Sequence, residues 1–531
     1  MSVEANRPKI ESLRQFFVDP QNPQSAERLA LLSAESIRVM AKIYASGVCL
    51  TEVEGAIREL PGATSRENAS LCEVVGEILR REAGTRIFDD RFMGQIHPQG
   101  SIVGILGNLV AAYMNTNTVV AEVSGAENLM KTEVLEWLAD IFGYKKENFG
   151  GNIVSGGSTA NLAALWVARQ RIKSELTKRK AYNRKMNFYV LGTEMRHYSL
   201  LKACNMLGVT FMRVPIDGFK TDVGAMERAV CSIQSHGNQV MAIIGLAGET
   251  ETGMVDDLQK MGEIAQKYGV YYHVDGAYGG PFILSKAGER FKGIEMADSI
   301  AIDLHKMLYS PYASGAILFK ERQVQKLIEK DMIENGRYLI HDESVRNYGT
   351  SRVEGSMGAA GVISAWATIK LFGRDGLRAI LDHTIDLTNH AYDSVMESNV
   401  LRPLHRPETN TLLIGLRETG FSAKIYNRIV ETVQKRVDEE TGYYMSFNGD
   451  VDRSCGRDRR GCFRFVAMHP FTTEDEVDNL LRIFSLEATK EINKAKECFR
   501  QTHIALFLGI RLGLILLKNN AVNHYTNYSR V

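Results

Sequence analysis

The chain has 531 residues, of which 24% are charged, and its formal net charge at neutral pH is +1. This length allows a large core and more than one structural unit, while the near-zero charge argues against a nucleic acid partner. The seven cysteines are odd in number and never have the Cys-x-x-Cys spacing. We therefore predict a reducing, cytoplasmic setting and no metal site.

The amino-terminal segment, residues 1–88, is predicted to be helical. Apolar side chains recur at helical spacing between residues 26 and 44. Residues 1–7 are polar and no apolar run follows them, so we predict no signal peptide.

Residues 89–350 are predicted to form a large α/β domain. Apolar runs of strand length alternate there with longer helical patterns, which is typical of a mostly parallel sheet with helices on both faces. The predicted strands include Phe188–Leu191, Met241–Gly245, Val270–Val274, Ser299–Ile302 and Ala316–Phe319.

A small α+β domain is predicted for residues 351–490. A helical pattern at residues 359–372 is followed by two strand-like runs, 411–415 and 462–468, and then by a helix at 474–484.

Residues 491–531 form a tail with an apolar run at 504–517 that contains Arg511. Its 14 residues fall short of the roughly 20 that a spanning helix needs. The pattern therefore argues against a membrane partner and leaves an amphipathic or docking helix, or a divergent tail.

Two motifs follow neighbouring predicted strands: His273–Gly280, which contains Asp275, and Ser299–Met307, which contains Lys306. The carboxyl ends of parallel strands meet at the ligand-binding edge of an open sheet, so this carboxylate and this lysine can share one ligand. Pyridoxal phosphate needs such a pair, because its aldehyde forms a Schiff base with lysine and its ring nitrogen stays protonated beside a carboxylate. An ordinary buried aspartate and a surface lysine remain the alternative.

Together, and in this order, the two motifs resemble the group II pyridoxal-phosphate-dependent amino acid decarboxylases, which act on glutamate, tyrosine and aromatic amino acids. The resemblance runs from about Phe88 to about Phe484. It implies the aspartate-aminotransferase-like fold (fold type I), a mostly parallel sheet flanked by helices with a small carboxyl-terminal α+β domain. It also implies a homodimer with active sites at the interface, across which the amino-terminal segment packs.

The resemblance assigns the phosphate of the cofactor to a loop and a histidine. Gly157 and Ser158 precede a helical pattern, where free N–H groups attract a phosphate, although Ser158 could be only an N-cap. His305 would donate to the same phosphate.

Four further residues would surround the cofactor ring. By resemblance, His197 stacks on the ring, Ala277 lies against its opposite face and Thr250 contacts the ring region. Asp275 would keep the ring nitrogen protonated. A structural role for His197 stays open on the sequence alone.

The resemblance also suggests a proton donor. Tyr338 matches the tyrosine that a mobile loop brings to the active site, so we predict that it protonates the carbanion after carbon dioxide leaves. The alternative is a tyrosine on an ordinary surface loop.

Substrate recognition is assigned to Gln95, His97 and Arg464. The first two lie in a strip that lines the substrate pocket in the family, and the arginine matches one near the substrate carboxylate. Gln95 favours glutamate decarboxylases, whereas residues 303–315 resemble tyrosine decarboxylases. Leu304, where many relatives have proline, and Asp303, where some have asparagine, put the substrate in doubt but not the cofactor.

The predicted function is an L-amino acid α-decarboxylase that releases carbon dioxide and an amine, with tyrosine or another aromatic amino acid slightly ahead of glutamate or aspartate. One alternative is a carbon-carbon lyase resembling sphingosine phosphate lyase, in which residues 349–352 bind a substrate phosphate. Another is an inactive cofactor-binding paralogue. The joint presence of Asp275, His197, Lys306 and Tyr338 argues against the last.

Overall fold

The computed structural model describes residues 71–82, 89–119, 123–183, 185–335, 352–452 and 459–526, with helical residues 27, 30–35, 37–38 and 41 before them. The chain divides into two compact units, Met1–Asp89 and Asp90–Val531. Helix α1 (Leu71–Glu82) belongs to the first. Of the 19 residues in the helix predicted at 26–44, ten are described and all ten are helical. The domain boundaries predicted at residues 88, 350 and 490 stay predictions.

A seven-stranded sheet forms the centre of the second unit, in the order β1-β9-β8-β7-β6-β2-β3. Strands β8, β7, β6, β2 and β3 are mutually parallel, and β9 runs antiparallel to both β8 and β1. The predicted, mostly parallel sheet is therefore confirmed. Together with a short hairpin, β4-β5, its strands are β1 (Gly150–Val154), β2 (Phe188–Gly192), β3 (Thr210–Arg213), β4 (Ile216–Asp217), β5 (Lys220–Thr221), β6 (Gln239–Leu246), β7 (Tyr271–Asp275), β8 (Ser299–Asp303) and β9 (Gly315–Phe319).

Helices cover both faces of this sheet, because its strands are apolar on both sides. In β9, Ala316 and Leu318 pack into the core beneath α3, α6 and α7, whereas Ile317 packs on the opposite face with α4, α5 and α8. The helices of this region are α2 (Ile102–Met114), α3 (Gly125–Ile141), α4 (Gly157–Lys178), α5 (Tyr198–Leu207), α6 (Val223–Ser235), α7 (Leu258–Tyr268) and α8 (Arg322–Asn335).

A second, antiparallel sheet has the strand order β10-β11-β13-β12 and packs with helices around its own core. Its elements are α9 (Ala360–Glu397), β10 (Leu401–Pro403), β11 (Thr411–Leu416), α10 (Ala423–Thr441), β12 (Ser446–Asp452), β13 (Arg460–Val466) and α11 (Glu474–Thr526). Helices α9 and α11 are longer than predicted, and α11 continues through the apolar run at 504–517. Within the described ranges, no helix combines the length and the apolar character needed to cross a bilayer.

The sheet brings the two predicted motifs to one edge. Leu246, Asp275 and Asp303 end the parallel strands β6, β7 and β8, and β1 ends at the same edge because it runs parallel to β8. The loop from β1 into α4 therefore faces the ends of β7 and β8.

Close backbone packing holds two loops together beside this edge. Gly279 has an ordinary φ of −87°, but a Cβ atom on it would lie 2.5 Å from both the carbonyl oxygen of Ala247 and the Cα atom of Gly248. Backbone atoms cannot move aside as a flexible side chain can. The glycine after Tyr278 is thus required for close approach of the loops that follow β6 and β7.

We expect Gly279→Ala to lower the free energy of unfolding by about 1–3 kcal/mol, because the added methyl group overpacks rigid backbone. The measurement is urea denaturation followed by tryptophan fluorescence. Gly125→Ala is the matched control, since a Cβ atom there would meet nothing within 4 Å. Equal unfolding midpoints for the two variants would contradict the packing argument.

Candidate active site

A cavity of about 360 Å³ opens at the carboxyl edge of the large sheet. It is lined by every residue that was predicted to bind the cofactor: Gly157, Ser158, His197, Thr250, Asp275, Ala277, His305 and Lys306. The structure thus brings together residues that are as much as 149 positions apart in sequence, from Gly157 to Lys306. Tyr338 lies outside the described residues.

The phosphate-binding loop predicted at Gly157 and Ser158 is the amino terminus of α4. The helix begins at Gly157 with Gly156 as its N-cap, so the interpretation of Ser158 as the N-cap is wrong. A Cβ atom at Gly157 would lie 2.8 Å from the Cβ atom of Ala277. Glycine here lets the helix terminus, with its partial positive charge, approach the cavity wall.

Lys306 and Asp303 form an ion pair inside the cavity. The lysine Nζ atom lies 2.9 Å from Asp303 Oδ2, and the other carboxylate oxygen, Oδ1, accepts a hydrogen bond from the Gly157 N–H at 2.5 Å. Burial acts to lower the pKa of Lys306, but the charge and hydrogen bond of Asp303 outweigh it, and the pKa is raised. Asp303 therefore holds the amine in its charged form before any ligand arrives.

His305 is oriented by the loop that follows it. Its Nδ1 atom accepts a hydrogen bond from the Ser314 N–H at 3.0 Å, which leaves Nε2 as the protonated nitrogen of the neutral ring. Burial lowers the pKa of His305, so the neutral form is favoured. An Nε2–H donor in the cavity agrees with the predicted contact to a phosphate.

Asp275 ends β7 and is buried, with 7% of its surface exposed. Its Oδ2 atom accepts a hydrogen bond from Asn161 Nδ2 at 2.9 Å and its Oδ1 atom accepts one from the Ala277 N–H at 3.2 Å. Both contacts come from donors, so each carboxylate oxygen serves as an acceptor.

His197 is the N-cap of α5, where its Nδ1 atom accepts from the Ser199 N–H. The same atom lies 2.8 Å from Ser199 Oγ. Burial lowers the pKa of His197, so the imidazole at the cavity wall is neutral at physiological pH. A neutral, partly buried ring suits stacking on another planar ring.

The predicted substrate residues meet beside this cavity rather than among its lining residues. Arg464 on β13 is buried and donates to the carbonyl oxygens of Thr250 and Gly94 and to Gln95 Oε1, each at 3.1 Å. The contact to Thr250 links the arginine to the cavity wall.

His97 belongs to a series of stacked rings. Its ring centroid lies 4.9 Å from that of Tyr312, which in turn lies 3.9 Å from that of His305. Tyr312 lines the cavity. The predicted substrate strip is therefore connected to the phosphate end of the cavity through one tyrosine ring.

Several cavity residues had no role assigned from the sequence: Asn161, Glu249, Asp303 and Tyr312. Asp303 was noted only as a departure from the family pattern, although its position three residues before Lys306 allows an ion pair. Asn161 lies four residues after Gly157, hence on the same face of α4. This four-residue spacing is the sequence signal that could have placed Asn161 at the cavity.

Glu249 is a further cavity residue, and burial raises its pKa to about 7.

The described residues fit pyridoxal phosphate. The cavity has a lysine amine, a helix terminus next to an imidazole N–H donor, and a buried carboxylate that accepts hydrogen bonds from two neutral donors. These groups match the aldehyde, the phosphate and the protonated ring nitrogen of the cofactor. Within the described residues, no group of His, Cys, Asp and Glu could hold a metal ion.

Comparison with known proteins agrees with this fit. Residues 57–406 match the family model of the pyridoxal-dependent decarboxylase conserved domain. The chain belongs to this family. The decarboxylase is 26% identical to the aspartate 1-decarboxylase of Aliivibrio fischeri over 89% of its own length and 93% of that protein. It is 31% identical to a probable L-tyrosine/L-aspartate decarboxylase of Methanosphaera stadtmanae, over 58% and 72% of the two chains.

The fold is also shared with solved structures. The glutamate decarboxylase domain of the diaminobutyrate-pyruvate transaminase and L-2,4-diaminobutyrate decarboxylase from Vibrio parahaemolyticus superposes with a TM-score of 0.74 at 20% identity. The match covers 90% of this chain and 99% of that one. Fold type I, pyridoxal phosphate as cofactor and amino acid α-decarboxylation are thereby confirmed.

The alternative of a carbon-carbon lyase loses its structural support. Of the residues 349–352 that would bind a substrate phosphate, only Arg352 is described. It is buried, donates to Thr118 Oγ1 at 2.9 Å and to the Gly355 carbonyl oxygen at 2.8 Å, and does not line the cavity.

We expect Asp303→Asn to lower the pKa of Lys306 in the apoprotein, because the substitution removes the charge that raises it while keeping an oxygen for the Gly157 N–H. At a fixed pH near neutrality, the amine should react faster with acetic anhydride, as measured by mass spectrometry of the peptide that contains residue 306. Asp386→Asn, which removes an exposed partner of Lys286, is the control. An unchanged reactivity profile of Lys306 would show that Asp303 does not govern its charge.

Proposed function

We propose that the decarboxylase acts on L-aspartate, releasing its α-carboxylate as carbon dioxide and forming β-alanine. The observation that carries this proposal is the environment of Arg464. Its guanidinium group is buried, and its hydrogen bonds go to the neutral oxygens of Thr250, Gly94 and Gln95. Its Nε–H group has no hydrogen-bond partner among the described residues.

A buried cation without a carboxylate partner is unfavourable, because its desolvation is only partly offset by neutral acceptors. A second carboxylate on the substrate would complete this environment, and arginine binds carboxylates through paired donors. The relative that aligns over most of the chain is an aspartate 1-decarboxylase, which supports the same substrate.

L-Tyrosine is the second candidate. Tyr312 exposes 47% of its surface at the cavity, between the rings of His97 and His305. An aromatic substrate side chain could pack against this exposed ring. A relative from Methanosphaera stadtmanae that carries both tyrosine and aspartate in its name supports keeping both candidates.

We propose a role for each predicted site residue. When bound, pyridoxal phosphate supplies an aldehyde for amines and a protonated ring that accepts electrons. Lys306 would present its amine to the aldehyde, and Asp275 would hold the proton on the ring nitrogen. His197 and Ala277 would confine the ring, and Thr250 would border it. Gly157, Ser158 and His305 would hold the phosphate. Tyr338 is proposed to deliver the proton that replaces the lost carboxylate.

The substrate experiment compares β-alanine formation from L-aspartate with tyramine formation from L-tyrosine, in wild type and in Arg464→Leu. If Arg464 binds the side-chain carboxylate, we expect kcat/KM for aspartate to fall by about thirtyfold or more while that for tyrosine changes little. Arg464→Lys controls for loss of charge, and urea denaturation controls for folding.

Two outcomes would contradict the proposal. Equal losses for both amino acids would place Arg464 at the α-carboxylate, and an absence of β-alanine from the wild-type holoenzyme would exclude aspartate as the substrate.

The decarboxylase is also proposed to be a cytoplasmic homodimer whose interface adjoins the active site. One face of α2, which includes Ile102, Leu106 and Val110, is more than half exposed. The opposite face of α2 packs on α9. At the start of α2, the Ser101 N–H donates to the carbonyl oxygen of Tyr309. Tyr309 is three residues before Tyr312, which lines the cavity. Contiguous exposed apolar side chains of this kind mark protein interfaces. The free thiols of Cys204 and Cys231 fit a reducing compartment.

We expect Leu106→Glu to convert the dimer to monomers, since a charge would have to be buried in an apolar interface. Sedimentation velocity measures the change. Leu371→Glu, which alters an equally exposed leucine on α9, is the control and should leave the assembly intact. A dimer that survives Leu106→Glu would remove α2 from the interface.

A further inference from the structure

A chain of buried hydrogen bonds lies behind the cavity and joins two of its walls. It starts at Ser299 on β8, passes through His273 on β7 to Asn161 on α4, and divides there toward Asp275 and, through Ser199, toward His197. Four residues of this chain, Ser299, His273, Asn161 and Ser199, are each at most 2% exposed. Water therefore does not compete with these contacts.

The position of the proton on His273 decides which atoms donate in the hydrogen bonds between Ser299, His273 and Asn161. Asn161 Oδ1 carries no proton, so His273 Nε2 must donate to it across 2.8 Å. Burial lowers the pKa of His273 to about 4, so the ring is neutral and has one proton. His273 Nδ1 then accepts from the Ser299 hydroxyl at 2.9 Å.

The direction of the second part follows from Asn161. Because its Oδ1 atom is used by His273, its Nδ2 atom must point the other way, with two protons. One goes to Asp275 Oδ2 at 2.9 Å and the other to Ser199 Oγ at 3.0 Å.

Ser199 completes the chain. Its oxygen accepts from Asn161, so its own hydroxyl proton is available for His197 Nδ1 at 2.8 Å. The backbone N–H of Ser199 also points to this Nδ1 atom. The proton of neutral His197 is consequently on Nε2.

We propose that Asn161 is a positioning residue whose single amide group orients the Asp275 carboxylate and holds His197 in its Nε2–H tautomer. A flipped amide would turn Oδ1 against the Asp275 carboxylate, which needs a donor, and would take the acceptor away from His273 Nε2–H, so Asp275 and His273 together favour the observed orientation. The inference rests on the proposed roles of Asp275 and His197 at the cofactor ring.

The test is Asn161→Asp, a nearly isosteric change that replaces the Nδ2 donor by an oxygen. Two carboxylates within hydrogen-bond distance must share a proton, so Asp275 no longer keeps its full charge. We expect the affinity of the apoprotein for pyridoxal phosphate, measured by fluorescence quenching, to fall by about tenfold or more. We also expect the imidazole nitrogen signals of His197 in ¹⁵N-histidine NMR of the apoprotein to report a mixture of tautomers. His197→Gln assigns these signals by their loss.

Three further variants separate positioning from folding. Ser199→Ala interrupts only the branch to His197 and leaves His197 Nδ1 with the backbone N–H at 3.4 Å, a longer contact than the hydroxyl at 2.8 Å. It should therefore change the tautomer signals while weakening cofactor binding less than Asn161→Asp does. At His273, glutamine keeps a donor near the Nε2 position and leucine does not. His273→Gln should therefore retain cofactor affinity and the His197 tautomer, whereas His273→Leu should lose both.

Wild-type cofactor affinity together with an unchanged His197 tautomer in Asn161→Asp would overturn the inference. Equal effects of His273→Gln and His273→Leu would also overturn it, because they would show that the donor does not matter. These readouts use the apoprotein and do not depend on the substrate. Failure of the proposed function would instead appear as a wild-type holoenzyme that forms no β-alanine from L-aspartate.

Discussion

Two carboxylates, Asp275 and Asp303, are buried at neighbouring strand ends, and the rest of the site is arranged to satisfy them. A buried carboxylate needs hydrogen-bond donors or a counter-charge, because desolvation otherwise favours its neutral form. Asp303 has the Lys306 amine and the Gly157 N–H, and Asp275 has the amide of Asn161 and the N–H of Ala277. Asp303 pairs with a charged amine, whereas the donors to Asp275 are neutral. The two acids therefore offer a ligand different electrostatic environments.

Because of this difference, the two ends of the cavity suit different parts of the cofactor. The charged lysine beside Asp303 lies at the end where α4 begins, next to His305, and this end suits an aldehyde and a phosphate. The two donors to Asp275, the Asn161 amide and the Ala277 N–H, are neutral and supply no counter-charge, which agrees with the proposed contact to a protonated ring nitrogen. The Nε2–H tautomer proposed for His197 depends on the hydrogen bonds that run from Asn161 through Ser199.

The residue proposed to bind the substrate carboxylate lies on the second sheet rather than on the large one. Arg464 on β13 reaches the Thr250 carbonyl oxygen at the cavity and the strip at Gly94 and Gln95. The proposed cofactor residues thus lie at the edge of the large sheet, whereas the arginine proposed to bind the substrate carboxylate lies on the second sheet.

From the sequence alone, alternating strand and helix patterns predicted the fold class, and the convergence of parallel strand ends placed Asp275 and Lys306 at one ligand. The family, and with it the remaining cofactor residues, came from the resemblance that these two motifs carry. The eight residues predicted in this way line one cavity. The tertiary structure alone decided the partners of those residues: the pairing of Asp303 with Lys306, the N-cap at Gly156, and the path from His273 through Asn161. Periodicity and motif spacing determine which face of an element a residue occupies. Which buried donor meets which acceptor depends on the packing of α4 against β7 and β8, and no local pattern contains that information.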